Sequence, residues 1–486
     1  MEALETMQHP GDMDAEQFRA AAHKLADWIA DHLTSLDKVK VLPECGPGDI
    51  LKQLPCHAPQ SGESMERIID DFYKIILPGV THWNHPSFFA YFSITGSGPG
   101  ILGELLSAAL NTNAMLWKTC PSATELEQCT LNWLRDLVGL PGSFWGIIYD
   151  TASISTMHAI AAAREALNLD IRTKGLAGRR DLPALTLYTS AHAHSSVEKA
   201  AITLGLGSRQ VRKIEVDERF RMRVDHLEKA VRTDRQAGYQ PFCVVATVGT
   251  TSTTSIDPVP RIAELCGSEK VWLHVDAAYG GPAAIVPEMN HVLDGCDKAD
   301  SIVINPHKWL FVPIDCSAFF TRKPDVLKQA FSLVPDYLKT PEDSEVENYM
   351  DYGIQLGRRF RALKLWFVLR FFGREGIIRR IRYHLMMAET LASRIEKHPD
   401  FELMAPVVFS TLCFRCCPHG ASDPDEFNER LLEAVNGSGK VFLSHTKLNG
   451  DYVLRMAIGN LHTTMEHIES AWLIIQEKAT ILKSTL

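Results

Sequence analysis

Five short apolar runs in the middle of the chain are each followed at once by residues able to do chemistry. GIIY (146–149) leads into Asp150-Thr151-Ala152-Ser153, and ALTLYT (184–189) into a serine- and histidine-rich stretch containing His192 and His194. FCVVATV (242–248) leads into Gly249-Thr250-Thr251, VWLHV (271–275) into Asp276-Ala277-Ala278, and SIVI (301–304) into Asn305-Pro306-His307-Lys308. Taken singly, each cluster is bland. Thr151-Ala152-Ser153 ahead of a helix reads as an N-cap, although the same free N–H groups also seat an anion. Asp276 alone is a turn former, and a lone lysine is a surface residue. Lys308, however, precedes Trp309-Leu310-Phe311. Apolar surroundings lower a lysine's pKa and free its amine for Schiff-base chemistry. A buried amine, a carboxylate, a flat imidazole and a helix N-terminus together suit pyridoxal 5'-phosphate. That cofactor needs an amine to hold it, a carboxylate to keep its ring nitrogen protonated, a partner for its ring face and a seat for its phosphate.

For these clusters to meet, the five runs must be strands with their carboxyl ends at one edge, where open α/β sheets bind ligands. Helical stretches at about 154–168, 195–204, 225–236 and 259–266 alternate with them. The alternation predicts a mainly parallel sheet covered by helices. Asp276 precedes Lys308 by 32 residues, about one βαβ unit, so the two can lie on neighbouring strands. Ahead of this region, 16–37 carries Phe18, Ala22, Leu25, Ile29 and Leu33 at helical spacing, and a second helix near 64–77 stops at Pro78-Gly79. Neither can bury its stripe alone, so they must pack on the rest of the chain or on a partner subunit. After about residue 358 the chain turns helix-rich and ends in an α+β stretch with the runs TLCFRC (411–416) and YVLRMAI (452–458). The expected division is an N-terminal helical segment (1–97), a large α/β domain (98–365) and a small C-terminal α+β domain (366–486).

The bulk numbers exclude several classes. The chain has 486 residues, 45% hydrophobic and 22% charged, with a formal net charge of -9. That charge repels a phosphate backbone, so no nucleic-acid partner is expected. The 11 cysteines are odd in number and scattered. Cys413 and Cys416 form a Cys-x-x-Cys inside an apolar run, which reads as a buried strand, and no metal is expected. No apolar run reaches membrane-spanning length, and the acidic N-terminus lacks the pattern of a secretory signal. A reducing, cytoplasmic location is the expectation.

With Asn305-Pro306-His307-Lys308-Trp309 in view, the chain resembles the group II pyridoxal-phosphate decarboxylases, specifically the aromatic-L-amino-acid decarboxylases. The shared strings are long: PGVTHW (78–83), HPSFFAYF (85–92), TELE (124–127), AHSSVEKA (193–200), ATVGTTSTTSIDP (246–258), VWLHVDAAYGG (271–281) and LGRRFRALKLW (356–366). The resemblance implies the aspartate-aminotransferase-like fold (fold type I) and decarboxylation of an aromatic L-amino acid to an arylalkylamine. It implies Lys308 as the Schiff-base lysine, Asp276 as partner of the pyridine nitrogen and His194 stacked on the ring. Thr151, Ala152, Ser153, Asn305 and His307 are implied around the phosphate, with Thr251, Ala278 and Gly357 as further cofactor contacts. The implied substrate pocket is Trp83, Tyr91, Phe92, Ile94, Met115, Leu116, His194 and Gly357. An obligate homodimer with interface active sites is implied, and so is a mobile loop at about 333–344 whose Tyr337 donates a proton. Relatives that make aldehydes replace that tyrosine or the histidine, and both residues are present here. Three departures stand out: Ser93-Ile94 for a common Pro-Thr, Gln355 for a proline, and Phe144-Trp145 for glycines.

Overall fold

The computed structural model describes residues 12–333, 338, 340–343, 345–419 and 422–484. The five expected strands form, together with two more, in one sheet. They are β1 (Trp145–Tyr149), β2 (Leu185–Ser190), β3 (Val211–Ile214), β4 (Gln240–Thr247), β5 (Trp272–Asp276), β6 (Ser301–Ile304) and β7 (Ser317–Thr321), in the order β1-β7-β6-β5-β4-β2-β3. β7 is antiparallel to both its neighbours, and the other six strands run the same way. The sheet is buried on both sides. Val244, Leu273, Ile302 and Phe320 enter one core layer, while Cys243, Val245, Trp272 and Phe319 enter the other. Two-sided burial is why these strands read as continuous apolar runs rather than alternating ones. β3 escaped the sequence reading because VRKI is an edge strand with only its first and last residues buried.

A second, antiparallel sheet contains β8 (Phe401–Leu403), β9 (Thr411–Cys416), β10 (Ser444–Leu448) and β11 (Asp451–Ala457), in the order β10-β11-β9-β8. Cys413 and Cys416 lie on its strand β9 and are buried, as the apolar run implied. The helical segment Arg361–Glu396 links the two sheets and turns sharply at Gly373, whose φ of 60° and ψ of 173° suit a residue without a side chain. The expected boundary at 365 falls inside this segment.

The first helix spans Ala15–Thr34 and has no buried residue, with Phe18 61% exposed. The second begins at Met65, continues as a wide π turn over Phe72–Ile76 and ends at the Leu77–Gly79 turn. Trp28 of the first packs edge-on against Phe72, ring centroids 5.3 Å apart. The helix Gly98–Leu110 was not evident from periodicity. It lies against Arg361–Glu396 at Gly103, where a Cβ would stand 2.7 Å from the Lys364 backbone. Its Leu102, Leu105, Leu106 and Leu110 face outward. No helix among the described residues is long and apolar enough to cross a membrane.

Candidate active site

Because β1, β2, β4, β5 and β6 run in parallel, their following residues gather at one edge, around a cavity of about 390 Å³. Lys308 sits one helical turn beyond β6, in Pro306–Trp309. Its Nζ lies 5.0 Å from the centre of the Phe92 ring. That ring stacks on Tyr279 at 3.9 Å, and Tyr279 stacks in turn on Trp309 at 4.9 Å. Burial pushes the lysine's pKa below the ordinary value; the Arg455 charge adds to this and the Asp276 charge opposes it. The neutral amine is the nucleophilic form.

Asp276 closes β5 on the adjacent strand and is buried. One carboxylate oxygen accepts the Ala278 N–H at 3.1 Å. His194 follows β2, and its Nδ1 accepts the Ser196 N–H at 3.1 Å. The ring's single proton in the neutral form is therefore on Nε2. Burial keeps the imidazole below its ordinary pKa, Asp276 opposes that shift and Lys308 reinforces it. His192 does not join the cavity; it packs against Phe220 at 5.3 Å.

An anion seat lies beside them. The helix Ala152–Glu165 begins at the cavity, and Thr151 makes no side-chain capping bond to it. The Thr151 hydroxyl donates to Asp150 instead, at 3.1 Å. Ile154 and Ser155 spend their N–H groups on the Thr151 carbonyl, so the donors of Ala152 and Ser153 remain for a ligand. Gln355, one of the departures, donates to the other oxygen of Asp150 at 3.1 Å and braces this turn. Across from it, His307 accepts the Cys316 N–H on Nδ1 at 2.9 Å. Burial, with Lys308 adding to it, depresses its pKa to about 3. The ring is therefore neutral, and its Nε2 lies 3.3 Å from the side-chain nitrogen of Asn305. The residues present fit a phosphorylated pyridine aldehyde: amine, carboxylate, flat ring and uncapped helix N-terminus border one cavity.

The aromatic wall is Trp83, Tyr91 and Phe92, with Ile94 beside it. Trp83 and Tyr91 stack at 5.8 Å. Thr251 and Ala278 also border the cavity, as expected. Met115, Leu116 and Gly357 do not. Leu116 packs with Leu338 and Met350, and Gly357 lies against Asn113. Tyr337 lies outside the described residues. Residues absent from the sequence-based set also line the cavity, chiefly Ser252, Tyr279, Ser444, His445, Thr446 and Arg455. The last four come from β10 and β11. One signal for them was available: a single arginine inside the apolar run YVLRMAI.

Comparison with known proteins agrees with this arrangement. The conserved domain of pyridoxal-dependent decarboxylases matches residues 47–417. Phenylacetaldehyde synthase of Arabidopsis thaliana is 40% identical, the match covering 97% of each chain. Tyrosine decarboxylase 2 of Narcissus pseudonarcissus is 39% identical over 97% of this chain and 95% of its own. The crystal structure of Oryza sativa TDC with PLP and tryptamine superposes with a TM-score of 0.93 at 33% identity, covering 98% of this chain and 100% of the other. Domain match, full-length relatives and superposition agree with the geometry around Lys308: the chain belongs to the pyridoxal-dependent decarboxylase family.

Proposed function

We propose that this protein removes the α-carboxylate of an aromatic L-amino acid as carbon dioxide and releases the arylalkylamine. The observation that carries this reading is a half-buried lysine beside a buried aspartate, the two bordering one cavity with an aromatic wall. Pyridoxal 5'-phosphate, when bound, supplies an electron-withdrawing ring that takes up the electron pair of the breaking Cα–carboxylate bond. Lys308 provides the amine that holds the cofactor and yields to the substrate amine. Asp276 keeps a proton on the pyridine nitrogen. His194 borders the same cavity, where its imidazole would stack on the cofactor ring. Trp83, Tyr91 and Phe92 exclude water and take an aromatic side chain. After carbon dioxide leaves, Cα must gain a proton, and Tyr337 is the assigned donor, with His194 as relay.

The same reading makes the enzyme a homodimer. The first helix with no buried residue and the outward Leu102, Leu105, Leu106 and Leu110 support it, since apolar faces of this extent seek a partner. Met115, Leu116 and Gly357 then complete the cavity of the second copy. A cytoplasmic location accords with 11 free cysteines.

Purified holoenzyme offered tryptophan, phenylalanine, tyrosine, DOPA and 5-hydroxytryptophan should release carbon dioxide and amine in equal amounts from at least one of them. No carbon dioxide from any of the five would overturn the reading. A second reading is favoured by the 40% identity to a phenylacetaldehyde synthase. In it the same carbon dioxide loss is followed by oxidation with molecular oxygen, giving aldehyde, ammonia and hydrogen peroxide. Peroxide and ammonia matching the carbon dioxide would select it.

A further inference from the structure

Arg455 is 4% exposed, and no carboxylate pairs with it among the described residues. A buried guanidinium is ordinarily matched by an acid. Its bonds here go to backbone and to a ring face. Nε donates to the Ser252 carbonyl at 2.9 Å, and Nη1 donates to the Tyr91 carbonyl. The guanidinium also lies over the Phe92 ring, 4.7 Å from its centre. Three walls of the cavity meet at this one side chain.

Tyr91 is the unusual partner. Its φ is 54°, the left-handed region that a bulky residue avoids. The residue is 54% exposed, and its ring touches Trp83 by stacking and Phe442 edge-on at 6.1 Å. The backbone itself is held from both sides by the C-terminal sheet. The Tyr91 N–H donates to Ser444 Oγ at 3.3 Å, and its carbonyl receives Arg455. Upstream, Phe89 donates to the Phe442 carbonyl and receives the Ala457 N–H, at 2.9 and 2.8 Å. Residues 87–91 are thus laced to the second sheet, and the chain then turns at Tyr91 to send Phe92 against Tyr279 beside Lys308.

We propose that Arg455 is a positioning residue for substrate recognition: it pins Tyr91 in its left-handed conformation and thereby sets the aromatic wall formed by Tyr91 and Phe92. This deepens the decarboxylase reading of the same cavity and rests on it. Without the clamp Tyr91 relaxes to ordinary backbone angles, and the rings of Tyr91 and Phe92 leave the cavity. Strain held by surrounding structure at a ligand site is expected to show in binding rather than in the chemical step. The C-terminal domain thereby acts on specificity without contacting the reacting atoms.

Two ligands separate this from a direct role. Nη2 of Arg455 has no partner, so a salt bridge to the substrate carboxylate is the rival explanation. An arylalkylamine, the product, keeps the ring but has no carboxylate. The cofactor-loaded Arg455→Gln variant should bind both the amino acid (as KM) and the amine (as a competitive inhibitor) about tenfold more weakly, with kcat changed less than threefold. Weakening confined to the amino acid overturns the clamp in favour of a carboxylate contact. A variant that loses the visible absorbance of the bound cofactor is replaced by Arg455→Lys, which keeps the charge, and judged by the same two ligands. The second arm is Tyr91→Gly, which makes the left-handed angle free of strain. In that background Arg455→Gln should cost less than threefold in amine affinity, and purely additive losses overturn the clamp. Wild-type enzyme that binds no arylalkylamine would instead count against the decarboxylase reading itself.

Discussion

Lys308 and His194 owe their chemistry to burial. Desolvation disfavours the charged form of each, so the amine and the imidazole beside Asp276 both titrate below their ordinary values. Replacing Lys308 with alanine should abolish the yellow chromophore trapped by borohydride and reduce turnover by about 10³-fold or more. Retained borohydride labelling at another lysine would refute the assignment. The pH dependence follows from the depressed histidine. Protonating His194 removes its acceptor lone pair at Nδ1 from the Ser196 N–H and adds a positive charge near Lys308. Activity should therefore fall only as pH drops below the ordinary histidine range. An acid limb of kcat/KM centred at or above about 6.5, the unperturbed histidine value, would exclude that role.

At the scale of elements, the parallel sheet brings the clusters together and a few buried ion pairs secure the loops around it. Arg358 donates to Glu127 at 2.6 Å and to the Ile148 carbonyl at 2.9 Å, and Glu127 also accepts the Ile148 N–H at 2.8 Å. The pair is almost wholly buried, at 6% and 2% side-chain exposure. It ties the end of β1 to the segment carrying Gly357, and the Ala114 N–H bonds to the Arg358 carbonyl. Glu127→Gln keeps the shape but leaves a buried guanidinium without its counter-charge. The expected loss is about 3–5 kcal/mol, the range for breaking one partner of a buried pair. Urea unfolding of the holoenzyme measures it, and a loss below about 1 kcal/mol would mean that water reaches the pair. One of the three sequence departures, Phe144-Trp145, also finds its reason at this scale. Phe144 is buried, and Trp145 packs on Tyr352 at 4.4 Å.

For the whole molecule, the consequential proposal is that two chains share each cavity. Tyr337 and Lys308 would then act from different subunits. Tyr337→Phe alone should keep carbon dioxide release but divert product from amine to aldehyde. Unfolded and refolded together with Lys308→Ala in equal amounts, it should recover amine formation to about one quarter of wild type. Half of the dimers are then mixed, and one site in each mixed dimer is intact. No recovery beyond the sum of the separate variants would show that each chain serves its own site.

Much of this protein is legible before it folds. Five strands bury both faces, so their apolar runs stand out, and each run is followed by the polar residues that the parallel arrangement must gather. Lys308, Asp276, His194 and the turn at Ala152-Ser153 can be read this way because local sequence carries both strand and ligand-facing end. Arg455, Ser444 and Thr446 cannot. They lie more than a hundred residues further along, on strands whose apolar pattern serves a different core, and reach the cavity because residues 87–91 and Ser252 bond the second sheet against the first. The left-handed Tyr91 is equally silent in sequence, since nothing local favours that angle in a tyrosine. Strand composition and the residues at strand ends were determined by sequence alone. Which distant side chains close the cavity was decided by long-range pairing, because hydrogen bonds between segments far apart in the chain leave no periodic trace in either one.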